Sequence, residues 1–292
     1  MNETNVSEPH SSLLVVNAGE RITQLSKKPK RFPGVSSFED NDLASELFYG
    51  REEESQKLLH YILAENLFLI YSYSGYGKTS LLKARVFRKL REKNICPILV
   101  RFNKKGFSPQ QLIQSETEAF GSEKGLEILH LNNGDNGQHI SNPLIQYFKS
   151  LEIWSPDDKL LTPAIVLDQF EEIFTLSHNQ SHVVSFFEDL AGLLKECKEG
   201  SLNLKIIISI REDFLGHLEI MAVNIPSVFA NRFRLEALRK EQANEAIMAP
   251  AKKVIPDVDF ASPPFSFSEK STQEILDFLS LKMTEGVWKP SA

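Results

Sequence analysis

An α/β fold, a parallel sheet flanked by helices, is what the 292-residue sequence predicts, on three observations. Apolar runs of strand length occur at Leu67 to Tyr71, Ile95 to Phe102, Ala164 to Leu167 and Leu204 to Ile210. The runs are nearly continuous rather than alternating, as strands covered on both faces are. Helix-period segments separate them, and a glycine-rich turn joins the first run directly to a helix.

In chain order, residues 1 to about 30 are polar and end in Lys27-Lys-Pro-Lys-Arg31, which reads as a flexible tail with a solvated basic flank. The texture changes at Phe32. Phe48-Tyr-Gly-Arg-Glu52 then leads into a helix-like segment, Glu54 to Leu63, ahead of the first strand.

The turn after that strand, Ser72-Tyr-Ser74-Gly75-Tyr76-Gly77-Lys78-Thr79-Ser80, has the composition of a phosphate-binding loop. Small residues let consecutive backbone N–H groups curl around an anion, and the following helix N-terminus adds positive potential. Lys78 supplies a point charge for the β and γ phosphates, and the Thr79 hydroxyl one ligand for Mg²⁺. The full pattern has glycine where Ser72 stands; a strand end does not need positive φ, whereas Gly75 and Gly77 sit where the backbone must approach the phosphates. Leu82, Val86 and Leu90 then recur at four-residue spacing, the apolar stripe of an amphipathic helix. Nucleotide binding is the function this implies.

Hydrolysis needs a held metal ion and an oriented water, and Ala164-Ile-Val-Leu-Asp168-Gln-Phe-Glu171-Glu172 offers both. An acid at the C-terminal end of a buried strand enters the crevice where open α/β sheets bind ligands, so Asp168 is the candidate for Mg²⁺. Glu171 or Glu172 is the candidate base for water. On the next strand, Arg211 either senses the γ phosphate or serves as a structural pair for Asp213, or for Asp168 when the site is empty.

The long stretch between the second and third runs contains Leu131-Asn-Asn-Gly-Asp-Asn-Gly137, expected to be a mobile loop in an insertion. Val183 to Leu194 has helical periodicity, with Phe186-Phe187 read as core. Near the end, Ser271-Thr-Gln-Glu274 reads as a capping box for a helix with Ile275, Leu279 and Met283 on one stripe.

Bulk properties narrow the class. A composition of 41% hydrophobic and 25% charged residues argues against disorder, and a net charge of −6 gives no basic footprint for nucleic acid as the main partner. No apolar run approaches the roughly 18 residues that cross a bilayer, and the first residues lack the basic start and apolar core of a signal peptide. Cys96 and Cys197 are read as core thiols without metal spacing. The expectation is a cytoplasmic protein.

Taken together, Phe48-Tyr-Gly-Arg-Glu52, Gly75-Tyr-Gly-Lys-Thr79, Asp168-Gln-Phe-Glu-Glu172, Arg211-Glu-Asp-Phe214 and Glu245-Ala-Ile-Met-Ala-Pro250-Ala resemble the novel STAND NTPase family, signal-transduction ATPases related to NACHT and NB-ARC switches. The likeness runs from about Phe32 to the end. It implies that Phe48, Tyr49, Gly50 and Arg51 line an adenine pocket, that Arg211 is the first sensor, and that Pro250 lies near the base in a helical lid. It further implies ATP and Mg²⁺ as cofactors, slow hydrolysis, and a homo-oligomer or an effector or sensor protein as partner, in signalling or defence. On this reading residues 1–30 are a tail, 31–238 the ATPase core and 239–292 an incomplete lid, the front of a longer design. The other readings are a nucleotide-stabilised scaffold without turnover and, least favoured, a nucleic-acid motor.

Overall fold

The computed structural model describes residues 28–103, 106–131, 142–176 and 180–284. Most of the Leu131 to Gly137 tract lies outside them, as do residues 1–27.

The four apolar runs form β1 (Leu67–Ser72), β2 (Ile95–Val100), β5 (Leu160–Leu167) and β6 (Lys205–Arg211). They pair in parallel, β1 with β6, β6 with β5 and β5 with β2. A short edge strand, β7 (Arg232–Arg234), adds in parallel to the free side of β1. Two further strands, β3 (Glu127–His130) and β4 (Leu151–Trp154), form an antiparallel extension that joins the sheet at Leu160 and Leu161, the start of β5. Strand β6 therefore separates the glycine-rich turn after β1 from the acidic end of β5.

Alternation along each strand feeds two cores. Leu67, Leu69, Ile98, Val100, Ile165, Leu167, Ile206 and Ile208 face one side. There they meet α4 (Pro109–Lys124), α5 (Pro143–Ser150) and α7 (Gln180–Lys198), with Phe186 and Phe187 fully buried as expected. Phe68, Ile70, Ala164, Val166 and Ile207 face the other side. That side is covered by α2 (Glu52–Ala64) and by α3, which runs as α-helix over Lys78–Leu81, as a π-helical turn over Leu82–Val86 and as α-helix again over Phe87–Arg91. Leu82, Val86 and Leu90 are buried there, so the predicted stripe is the packed face. Both cysteines are buried free thiols, and burial pushes the Cys96 thiol up to about 12.

The remaining helices are α1 (Asp42–Leu47), α6 (Glu172–Leu176), α8 (Glu219–Ala222), α9 (Lys240–Lys252) and α10 (Glu269–Thr284). Two expectations change here. Helix α10 begins at Glu269 rather than after Ser271, because the Ser268 hydroxyl accepts the Ser271 N–H at 3.1 Å. Its inward face carries Thr272 and Leu276; Ile275 is half-buried, Leu279 is exposed, and the side chain of Met283 lies outside the described set. The basic flank is not wholly solvated either. Arg31 is 4% exposed, lies over the Phe260 ring, and donates to the carbonyls of Pro250 (3.0 Å), Lys253 (2.5 Å) and Ser262 (3.2 Å). Two of these carbonyls, those of Pro250 and Lys253, lie at the C-terminal end of α9, where a cation is favoured.

Gly50 is a point of close approach. It has φ +80°, and a Cβ there would meet the carbonyl oxygen of Gln242, in the first turn of α9, at 2.4 Å. Gly50→Ala is therefore expected to cost about 1–2 kcal/mol from the left-handed backbone alone, and to displace α9. Chemical denaturation measures this; an unchanged midpoint would mean that α9 does not rest on Gly50.

Candidate nucleotide site

Strand register assembles the site. Leu167 of β5 pairs with Val100 of β2 and with Ile208 of β6, so the next residues, Asp168, Arg101 and Ser209, stand abreast at the C-terminal edge of the sheet. Asp168 has the parity of Ala164 and Val166, the face covered by α3, and α3 brings Thr79 to it. The Thr79 hydroxyl lies 3.0 Å from each Asp168 carboxylate oxygen, and the Ser209 hydroxyl donates to Oδ1 at 3.0 Å. Arg101 donates to Oδ2 from Nε (3.1 Å) and Nη2 (2.7 Å). Arg101 escaped the sequence reading. Its signal was there: a cation directly after the apolar run that ends at Val100.

The turn that follows is set by its residue types. Gln169 adopts φ +54°, a left-handed conformation uncommon for a side chain of this kind and of the sort that clusters at functional sites. This swings Phe170 into the core, fully buried, with its N–H bonded to the Ser209 carbonyl at 2.9 Å. Glu171 then turns toward β6, accepting the Arg211 backbone N–H at 3.2 Å. Glu172 starts α6, and its Oε2 is buried with no hydrogen bond among the described residues. Burial raises the Glu172 carboxyl above its ordinary range, the negative charges of Glu171 and Asp168 add to that, and Arg101 opposes it.

In the loop, Gly75 (φ +83°) and Gly77 (φ +91°) take the left-handed conformations that their positions demanded. Ser74 and Gly75 are exposed, Tyr76 and Gly77 half-buried. The Lys78 ammonium reaches back to the Ser72 hydroxyl at 3.1 Å and the Ser72 carbonyl at 3.3 Å. Burial lowers its pKa, partly offset by Glu171 and Asp168. Ser80 accepts the Phe38 N–H on its hydroxyl at 3.2 Å.

The Phe48 to Arg51 segment lies beside the loop. Arg51 is 4% exposed and ties the Tyr76 carbonyl (3.3 Å), the Glu236 carbonyl (2.8 Å) and the Glu54 carboxylate (2.9 Å) together. Its guanidinium thus braces the loop from behind. Phe48 is buried edge-on against Phe38, its carbonyl bonded to Arg85, and the Arg85 guanidinium lies 6.0 Å over the Tyr49 ring. Pro250 sits buried in α9 with its carbonyl on Arg31, and Gln242 in the first turn of α9 faces Gly50. Arg211 pairs with Asp213 at 2.6 Å, one of the structural roles considered for it, while Asp168 takes Arg101 instead.

These groups fit Mg²⁺ held in the usual manner of nucleotide sites, by one carboxylate and one hydroxyl with the remaining positions left to phosphate and water. A dedicated cage is not needed, and no cluster of three or more His, Cys, Asp or Glu suited to a metal occurs among the described residues. No described helix is long and apolar enough to cross a membrane.

No curated protein is significantly similar to the chain in sequence. Among solved structures, the ORC2 protein of Aeropyrum pernix in its ADP form aligns at TM-score 0.45 and 15% identity, over 82% of this chain and 66% of that one. A Walker-type ATPase of Pyrococcus abyssi gives 0.45 and 16%, over 88% and 66%. Trip13 from Rhizobiales gives 0.39 and 15%, over 86% and 90%. The chain thus spans just under two thirds of the length of the first two of these proteins. The sequence model of Novel STAND NTPase 1 matches residues 32–272, from the first apolar segment after the basic flank to the first turn of α10. The chain belongs to the novel STAND NTPase 1 family.

Proposed function

We propose that this NTPase module binds ATP with Mg²⁺, hydrolyses it slowly, and uses its nucleotide state to gate self-assembly or contact with an effector or sensor protein, as a cytoplasmic signalling or defence switch. The observation that carries this reading is the convergence of Thr79 and Asp168 at 3.0 Å beside the Lys78 ammonium. A hydroxyl, a buried carboxylate and a desolvated cation are brought together by elements far apart in sequence. In this scheme Gly75 to Ser80 cradle the phosphates, Thr79 and Asp168 hold the metal, and Phe48 to Arg51 with Pro250 flank the base. Glu172 serves as base, since its Oε2 is buried and uncommitted whereas Glu171 already accepts the Arg211 N–H. Arg211 leaves Asp213 for the γ phosphate in the triphosphate state. Nucleotide then shifts the lid, here residues 239–292, only by the difference of its affinities for the two arrangements.

Mass in solution with and without ATP, together with phosphate release, tests the reading. Assembly or a change of partner affinity with ATP, and slow phosphate release, are expected. A scaffold that binds ATP without turnover is favoured by one observation, the Arg211–Asp213 pair that occupies the candidate sensor. Binding without phosphate release would establish it.

A further inference from the structure

Asp168 is 1% exposed and carries a charge that the fold must neutralise. An uncompensated carboxylate at such depth is strongly unfavourable. Thr79 and Ser209 supply hydroxyls, but the only cation within hydrogen-bond distance among the described residues is Arg101. Both of its contacting nitrogens converge on one oxygen, Oδ2, rather than spanning the two oxygens as a full fork would. The Arg101 side chain is 33% exposed, so it can swing toward water with little reorganisation. The pair is therefore strong enough to neutralise a buried acid and placed to let go of it.

We propose that Arg101 is a built-in counter-cation. It holds Asp168 while no divalent cation is bound, and it must leave the carboxylate before such a cation can be held between Asp168 and Thr79. A guanidinium and a divalent ion on one carboxylate oxygen repel each other, so the two occupancies exclude one another. The Arg101–Asp168 pair thereby sets how much Mg²⁺ nucleotide binding demands. Arg101 acts through Asp168 and is a positioning residue. The inference rests on the reading of Asp168 and Thr79 as the metal-holding groups.

Arg101→Gln in the full chain tests it with two readouts. The first is the thermal midpoint in EDTA and across a MgCl₂ series without nucleotide. The second is binding of a fluorescent, non-hydrolysable ATP analogue across the same series. In wild type, Mg²⁺ alone should leave the midpoint nearly unchanged. In the variant the midpoint in EDTA should fall and Mg²⁺ alone should restore it. A pair closed about nine-tenths of the time raises the apparent Mg²⁺ requirement about tenfold, so half-saturation by Mg²⁺ should fall by about that factor in the variant. Identical Mg²⁺ dependence in the two proteins, in both readouts, overturns the inference. If the glutamine variant does not fold, Arg101→Lys carries the test: it keeps the charge, loses the paired donors and should lower the requirement about threefold, and an unmoved requirement is fatal. Should wild type bind no analogue at any Mg²⁺ concentration, the nucleotide reading fails by itself, and the melting series still decides whether Arg101 and the ion compete.

Discussion

Lys78→Ala is expected to abolish tight ATP binding while leaving the fold intact. The ammonium is the one side-chain cation that the loop itself supplies, and among the described residues its bonds go to Ser72. Its pKa is lowered chiefly by burial, which means the charged form is less comfortable in the folded protein than in the unfolded chain. Removing the charge at neutral pH therefore takes away that burial cost, against the loss of the two bonds to Ser72, so the fold is expected to survive. Binding responds in the opposite direction. A charged partner taken from a mostly desolvated contact costs about 3–5 kcal/mol, or roughly two to three and a half powers of ten in Kd. Calorimetry with ATP·Mg²⁺ reads the first effect and thermal melting the second. Wild-type affinity in the variant would mean that the loop does not hold phosphate.

Glu172→Gln should keep ATP binding and lose hydrolysis, by on the order of a hundredfold or more. The amide can still accept a hydrogen bond from water but cannot take its proton. The structure adds a pH signature. Burial, reinforced by Glu171 and Asp168, raises the Glu172 carboxyl, so it takes up its proton at higher pH than an exposed glutamate does. Phosphate release should accordingly fall as pH drops through that raised value, ahead of the ordinary carboxylate range. Stability carries the opposite sign. The folded state binds this proton more tightly than the unfolded chain, so ionised Glu172 weakens the fold as pH rises through the raised value, and the neutral amide removes that dependence. Should Glu171→Gln give the kinetic loss and Glu172→Gln not, the two glutamates exchange roles. Should neither do so, the scaffold reading stands.

What could be read from the sequence was what burial makes repetitive. Strands β1, β2, β5 and β6 are covered on both faces, so their apolar residues are contiguous and visible. Strand β7 is Arg-Phe-Arg at the edge of the sheet with both arginines exposed, and three such residues carry no pattern. The antiparallel pair β3 and β4 is mostly exposed or half-buried and equally quiet. At the site, Asp168 announced itself because an acid after an apolar run is unusual. Arg101 did not, because an arginine that pairs with a buried acid looks the same in sequence as a solvated one, and Arg51 drew notice for a base pocket rather than for the brace it provides. Only register shows that Arg101 stands beside Asp168, and only the folded loop shows that Arg51 braces Tyr76. The earlier start of α10 has a local origin too: the Ser268 hydroxyl takes the cap in place of Ser271.

The anchoring of Arg31 limits how far α9 can travel. Seven residues beyond it, the Phe38 N–H is fastened to Ser80 on the helix that follows the phosphate loop. Residues 31–38 are thus a leash with one end on the carbonyls behind α9 and the other on the loop helix. Fully drawn out, seven steps span about 25 Å. Any separation of the two anchors beyond that must tear free either the three-carbonyl grip of Arg31 or the Ser80 bond.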